Sequence, residues 1–297
     1  MTRITAGMMA LAAKLGPKLL TIAVKFAKVG KMGLAVGSMA AYTYLFTWQF
    51  AVVIIVSLFF HESGHIWAMK KCRLKTKGIY FIPFMGAAAV SEEMFKTRRD
   101  EVFVAIMGPI WGFALALATA AIYFITGNAF FAAVAGWMAM VNLFNLLPIN
   151  PLDGGRIMKS IAFSINSNIG FIFLGIGIIV SMILTLWVGL VLFSILLFVA
   201  CLELFFEFKR YSRKAELARI LKVTKEVGNV ELEEEVNKIL RKYPGIEDEL
   251  AIPPTMTVKG IVISAISYII IIGVLWILMT DMSHIPEVSI ARELFMS

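Results

Sequence analysis

The residues with the clearest chemical capacity are "HESGH", His61 to His65, at the end of the apolar run "WQFAVVIIVSLFF". In a helix, His61 and His65 lie one turn apart on one face, the spacing at which two imidazole nitrogens can reach one metal ion. Glu62 stands beside the first of them and can take a proton from water held there without being a ligand itself. A polar helix end satisfied by interfacial water is the bland alternative. Three ionisable groups beside a membrane-length apolar run are costly, however, and such groups are functional by default. The chain has three histidines, and this pattern uses two of them. The third, His284, lies in the C-terminal tail.

A catalytic zinc site needs a third protein ligand and an open position. Asp153 sits among apolar segments in "FNLLPINPLDGGRI". Pro148 and Pro151 end the preceding helix, and Gly154 and Gly155 permit sharp turns that would return a carboxylate to the bundle. An ordinary Asp-Gly turn would look the same. Glu92 and Glu93 compete for the role, but they fall in "SEEMFKTRRDE" beside Lys96, Arg98 and Arg99, where a solvated charge pair is cheap. The near cation of Asp153 is Arg156, and a carboxylate among apolar spans needs a compensating charge such as zinc. This favours Asp153.

The elements that must position these groups are apolar helices. The 297 residues are 60% hydrophobic and 16% charged, against about 25% charged in soluble domains. The apolar residues cluster in runs near the length of a bilayer crossing. The net charge of +8 then fits a positive-inside bias and anionic lipid rather than nucleic acid, since no basic stretch is interleaved with aromatics. Cys72 and Cys201 form no spacing pattern and are expected as free thiols.

Spans are expected at 33–47, 49–70, 102–126 and 129–149, in a helical hairpin over 169–207, and at 260–280. The fold class is an all-α polytopic membrane protein of about six or seven transmembrane helices, with a small membrane-embedded β-hairpin and a short cytosolic helical insert. The hairpin is read from "GIYFIPFMGAAAV", whose Gly, Pro, aromatic and β-branched residues suit extended backbone held against protein or water. Residues 1–31 form a basic amphipathic interfacial segment, with Arg3, Lys14, Lys18, Lys25 and Lys28 on one face. The domain reading continues with 32–207 as the membrane core, 208–257 as a cytosolic helical pair and 258–297 as a last span with an outer tail. Lys/Arg-rich loops place the N-terminus, 70–77 and 208–257 in the cytosol, with the HESGH end nearer that face.

"HESGH" closing one apolar span and "NLLPINPLDGG" closing another, about 90 residues later, together resemble the site-2 protease family of intramembrane zinc metalloproteases. The resemblance covers roughly residues 48 to 160. It implies one zinc ion per chain on His61, His65 and Asp153, with Glu62 as catalytic base. The family's asparagine, eight residues before the aspartate, falls on Asn145 and implies a role in substrate binding or oxyanion stabilisation. The family's membrane-embedded hairpin matches "GIYFIPFMGAAAV" and implies that extended substrate adds to it as a strand. The implied partners are a membrane protein or peptide substrate and the lipid bilayer of the cell membrane. One departure stands out: the family's Gly-Pro-x-x-Asn pattern reads "GPIWG" here, with Gly112 in the place of the asparagine.

Two other functions fit less well. A catalytically idle relative, binding membrane peptides as an immunity or chaperone protein, would not need Glu62. A metal transporter would need polar groups spread along a path through the spans, which read as almost wholly apolar outside the one cluster.

Overall fold

The computed structural model describes residues 30–45, 47–82, 86–188, 194, 197–209, 211–212 and 255–285. The amphipathic reading of 1–29, the helical pair within 213–254 and the tail beyond 285 fall outside the described residues.

The order is α1 (Gly30–Leu45), α2 (Trp48–Lys71), β1 (Thr76–Ile82), β2 (Gly86–Ser91), α3 (Arg98–Thr126), α4 (Ala129–Asn145), α5 (Asp153–Ile165), α6 (Ser167–Val188) and α7 (Val258–Ser283), with further helical residues at 197–209. Among the described residues, α2, α3, α6 and α7 are long and apolar enough to cross a membrane, and α4, with 17 residues, is a shorter apolar helix.

Local sequence sets the boundaries. Thr47 caps α2 by accepting from the Phe50 N–H, and Lys70 and Lys71 complement the helix dipole in the last turn. Thr97 caps α3 through the Asp100 N–H at 3.0 Å, with Asp100 and Glu101 in the first turn. Gly127 ends α3 at φ +67°, a left-handed conformation that favours glycine. Asn128 then caps α4 through the Phe130 N–H.

The core lies where α3, α4 and α7 meet. Alanines dominate the buried face of α4, at positions 132, 133, 135 and 139, and let its neighbours approach closely. Tyr268 of α7 donates to the Leu146 carbonyl at 2.6 Å and so fixes the loop that leads from α4 to Asp153.

β1 and β2 form an antiparallel hairpin, with Ile79 opposite Ala89 and Tyr80 opposite Ala88. α1 and α2 pack against it. Lys31 of α1 donates to the Lys77 carbonyl and lies over the Tyr80 ring.

Two details differ from the sequence reading. Asp153 opens a 13-residue helix, α5, that the sequence reading did not anticipate. Gly154 and Gly155 do not turn the chain, since neither has a positive φ. A Cβ at Gly154 would overlap the Leu146 and Leu147 backbone, and one at Gly155 the Ile149 and Asn150 backbone. These glycines serve close approach, pressing the start of α5 onto its own preceding loop.

Part of the charged stretch that precedes position 102 is also enclosed rather than solvated. Arg98 and Glu101 are buried in its first turn. Glu101 bonds Lys159 at 2.7 Å, Ser160 at 2.7 Å and Arg98 at 3.2 Å. Glu203 and Glu207 join from the 197–209 stretch, to Lys159 and Arg98 respectively. This buried network bolts α3 to α5 and to the following helical stretch.

Candidate metal centre

His61 and His65 sit in the last three turns of α2, and Asp153 is the first residue of α5. The helix N-terminus favours the carboxylate there. Three donor atoms converge. His61 Nε2 lies 3.0 Å from Asp153 Oδ2, His65 Nε2 lies 3.3 Å from it, and the two Nε2 atoms are 3.1 Å apart. All three residues are buried, and they form the single three-residue His/Cys/Asp/Glu cluster able to hold a metal among the described residues.

The hydrogen bonds on the far side of each ring identify the tautomers. His65 Nδ1 faces the Val104 carbonyl at 2.7 Å, and a carbonyl only accepts, so Nδ1 carries the proton. His61 Nδ1 faces Asn142 Oδ1 at 2.9 Å, while Asn142 Nδ2 donates to the Met138 carbonyl at 2.7 Å. The amide oxygen therefore points at His61, whose Nδ1 is again the donor. With each ring neutral, both Nε2 lone pairs then face a carboxylate oxygen, and the triangle offers three acceptors and no donor.

Such a set calls for a cation at its centre. Its edges come close to the roughly 3.3 Å expected between ligands each about 2 Å from a tetrahedral zinc. Two neutral imidazoles and one carboxylate are also a donor set that zinc accepts. The residues present fit the metal.

The competing carboxylates are elsewhere. Glu92 and Glu93 are exposed, and Glu93 lies 4.0 Å from Lys75. Arg156 Nη1 is 3.6 Å from the other oxygen of Asp153, as its sequence position suggested.

Glu62 is 6% exposed and stands outside the donor triangle. Its Oε2 accepts the backbone N–H of Ala89 at 2.6 Å, so the hairpin touches it directly. Asn145, at the end of α4, is half-buried and its amide makes no hydrogen bond among the described residues. The asparagine that reaches the cluster is Asn142, one turn earlier, fully buried and missed by the sequence reading. An amide within the otherwise apolar "WMAMVNLFN" was the available signal.

Glycines bring α3 against the cluster. A Cβ on Gly108 would overlap the rings of both His61 and His65. A Cβ on Gly64 would meet the Met107 carbonyl, and one on Gly112 would occupy the amide of Asn142. The departure at Gly112 is therefore the space that Asn142 fills.

Comparisons with known proteins agree with this chemistry. Residues 49–136 match Peptidase family M50. A zinc metalloprotease of Methanocaldococcus jannaschii is 28% identical over 185 residues, which cover 58% of this chain and 51% of that protein. Rip3 of Mycobacterium tuberculosis, provisionally named a zinc metalloprotease, is 32% identical over 118 residues, 37% of this chain and 30% of its own length. A Synechocystis protein with the same provisional naming is 32% identical over 127 residues, 40% of this chain and 32% of its own. The chain spans about half the length of the first of these relatives and about a third of the others. The family match ends before Asp153, whose place in the cluster rests on geometry. Because the matched stretch holds His61, Glu62 and His65, and the relatives are named for zinc-dependent proteolysis, the resemblance to the site-2 proteases holds, and residues 49–136 of this chain are similar to Peptidase family M50.

Proposed function

We propose that this chain is an intramembrane zinc endopeptidase that hydrolyses peptide bonds of membrane-spanning or membrane-associated proteins. The observation that carries the reading is the buried triangle of three acceptors with a carboxylate, Glu62, next to it in sequence and tied to a strand edge. Zinc on His61, His65 and Asp153 would supply Lewis acidity to the scissile carbonyl and a lowered pKa to the attacking water.

The residues of the chain do the rest. Glu62 takes the proton of the attacking water and later delivers it to the leaving amine. Asn145, whose amide makes no hydrogen bond among the described residues, donates to the developing oxyanion. The Ala89 N–H orients Glu62 and keeps its carboxylate clear of the ligand set. Among the described residues β2 pairs with β1 alone, and its outward edge takes the substrate as an added strand, which requires a helical substrate to unwind first. His61, Glu62, His65 and Asp153 are at most 7% exposed, so the substrate must part the hairpin from α2 to reach them.

In this reading the protein crosses the cell membrane six or seven times, with α1 and α4 as its short crossings. The active site opens toward the cytosolic face. His65 lies six residues before Lys71, about 9 Å along the helix from that basic end. Residues 1–31 lie on the lipid surface, 32–207 form the protease core, 208–257 stand in the cytosol, and 258–297 add a span with an outer tail.

The test is cleavage of a membrane-protein substrate, found by comparing membrane proteomes with wild-type protein and with Glu62→Gln. Glu62→Gln should lower turnover by about 10²–10⁴-fold, the usual contribution of a general base, and should retain stoichiometric zinc. Loss of zinc in Glu62→Gln would make Glu62 a ligand, and undiminished cleavage would remove it from the mechanism.

A further inference from the structure

We propose that Asn142 is a positioning residue that sets the tautomer of His61 and thereby the affinity of the zinc site, with Gly112 providing the space it occupies. The inference rests on the zinc reading of the cluster.

The two histidines obtain the same result by different means. His65 is held by a backbone carbonyl, Val104 O, within α3. His61 is held by a side chain, Asn142 Oδ1. An isolated amide could rotate to offer either its oxygen or its nitrogen, and the nitrogen would favour the wrong tautomer. The Met138 carbonyl removes that freedom, because it accepts from Nδ2 at 2.7 Å and leaves Oδ1 on the side of His61. Met138 and Asn142 are four residues apart on α4, so the carbonyl that fixes the amide belongs to the same helical turn. Asn142 is 0% exposed, and no water competes for it from bulk solvent.

Charge also matters. A neutral amide orients His61 without adding a third carboxylate to a buried pocket that already holds Asp153 and Glu62. The contact with Gly112 shows how local the arrangement is. A Cβ at 112 would fall on the oxygen, nitrogen and carbon of the Asn142 amide. An amide carried from α3 at 112 could therefore serve the same point if position 142 were emptied.

The test uses the full chain in detergent, labelled with 15N-histidine. With three histidines in the chain, the ring nitrogens of His61 can be followed by NMR without crowding. In zinc-free wild type, His61 should carry its proton on Nδ1. Asn142→Leu, similar in size but with no acceptor, should give mixed tautomers and zinc affinity about 10–100-fold weaker by chelator competition, the usual effect of losing a histidine's outer partner. Asn142→Asp keeps an acceptor and should hold the tautomer and bind zinc more tightly than Asn142→Leu. Gly112→Asn combined with Asn142→Ala should recover most of the affinity that Asn142→Ala alone loses. Wild-type tautomer and wild-type affinity in Asn142→Leu would overturn the proposal. If Asn142→Leu does not fold, the comparison of Asn142→Ala with the double variant decides, and no recovery in the double variant overturns it. Failure of wild-type protein to bind zinc would instead overturn the metalloprotease reading, and this inference with it.

Discussion

The backbone N–H of Ala89 donates to Glu62 Oε2 across 2.6 Å, joining one edge of the hairpin to the carboxylate beside the candidate metal ligands. Residues of an antiparallel strand alternate in direction, so Ala87 shares the outward edge with Ala89, while Ala88 faces Tyr80 on β1. If substrate adds to the outward edge, Ala87→Pro should impair cleavage while zinc content and the hairpin persist, because it removes an N–H that β1 does not use. Ala88→Pro should instead loosen the hairpin itself. Kinetics on one substrate with both variants separate these roles. Unchanged cleavage in Ala87→Pro would make the edge a spectator.

The third ligand can be tested by metal analysis. Asp153→Ala should lose zinc and activity together, since it removes one corner of the donor triangle. The double variant Glu92→Ala and Glu93→Ala should keep both, as these carboxylates are exposed and outside the cluster. Full zinc in Asp153→Ala would refute the assignment.

Glu101 should matter for stability far more than its place at a helix start suggests. It is 5% exposed and serves Lys159, Ser160 and Arg98 at once. Removing one partner from a buried ionic network costs about 3–5 kcal/mol, so Glu101→Ala should lower the unfolding midpoint in detergent sharply. Lys75→Ala, breaking the exposed 4.0 Å pair with Glu93, should change it by no more than about 1 kcal/mol.

Cys72, just past the end of α2, gives a pH-dependent signal. Burial, and then the nearby Asp100 carboxylate, push its thiol from 9.0 up to about 11. The neutral thiol is the form the fold favours. This contribution to stability is therefore complete below pH 9 and is lost as the pH rises toward 11. Maleimide labelling of Cys72 should be slow at pH 7.5 and rise steeply above pH 10, with faster labelling after unfolding at either pH. Rapid labelling of folded protein at pH 7.5 would contradict the shift.

What the sequence revealed follows a physical pattern. The i, i+4 spacing of His61 and His65 is local geometry, and a helix delivers it without help from elsewhere. The hairpin was legible because Gly78, Pro83 and Gly86 break any helical reading of an apolar stretch. Asp153 was found through the cost of an uncompensated charge. Three features depended on tertiary partners and were not visible. α5 carries two glycines directly after Asp153, poor helix formers that are tolerated because the loop presses on them. Asn142 gains its meaning from His61, 81 residues away. Arg98 and Glu101 read as a solvated charge run until Lys159, Glu203 and Glu207 enclose them.

The contact of Gly108 with both imidazoles has a consequence for inhibitors. α3 is a rigid backstop at that point, and no ligand group, not even a methyl, has room between it and the rings. Affinity has to be sought on the opposite side, where Ala89 meets Glu62. Under the proposed strand addition, a compound built for this site would be a flat, extended peptide mimic that exchanges main-chain hydrogen bonds with β2. It would present its metal-binding group at the end that lies beside Ala89, and bulk added toward α3 would only weaken it.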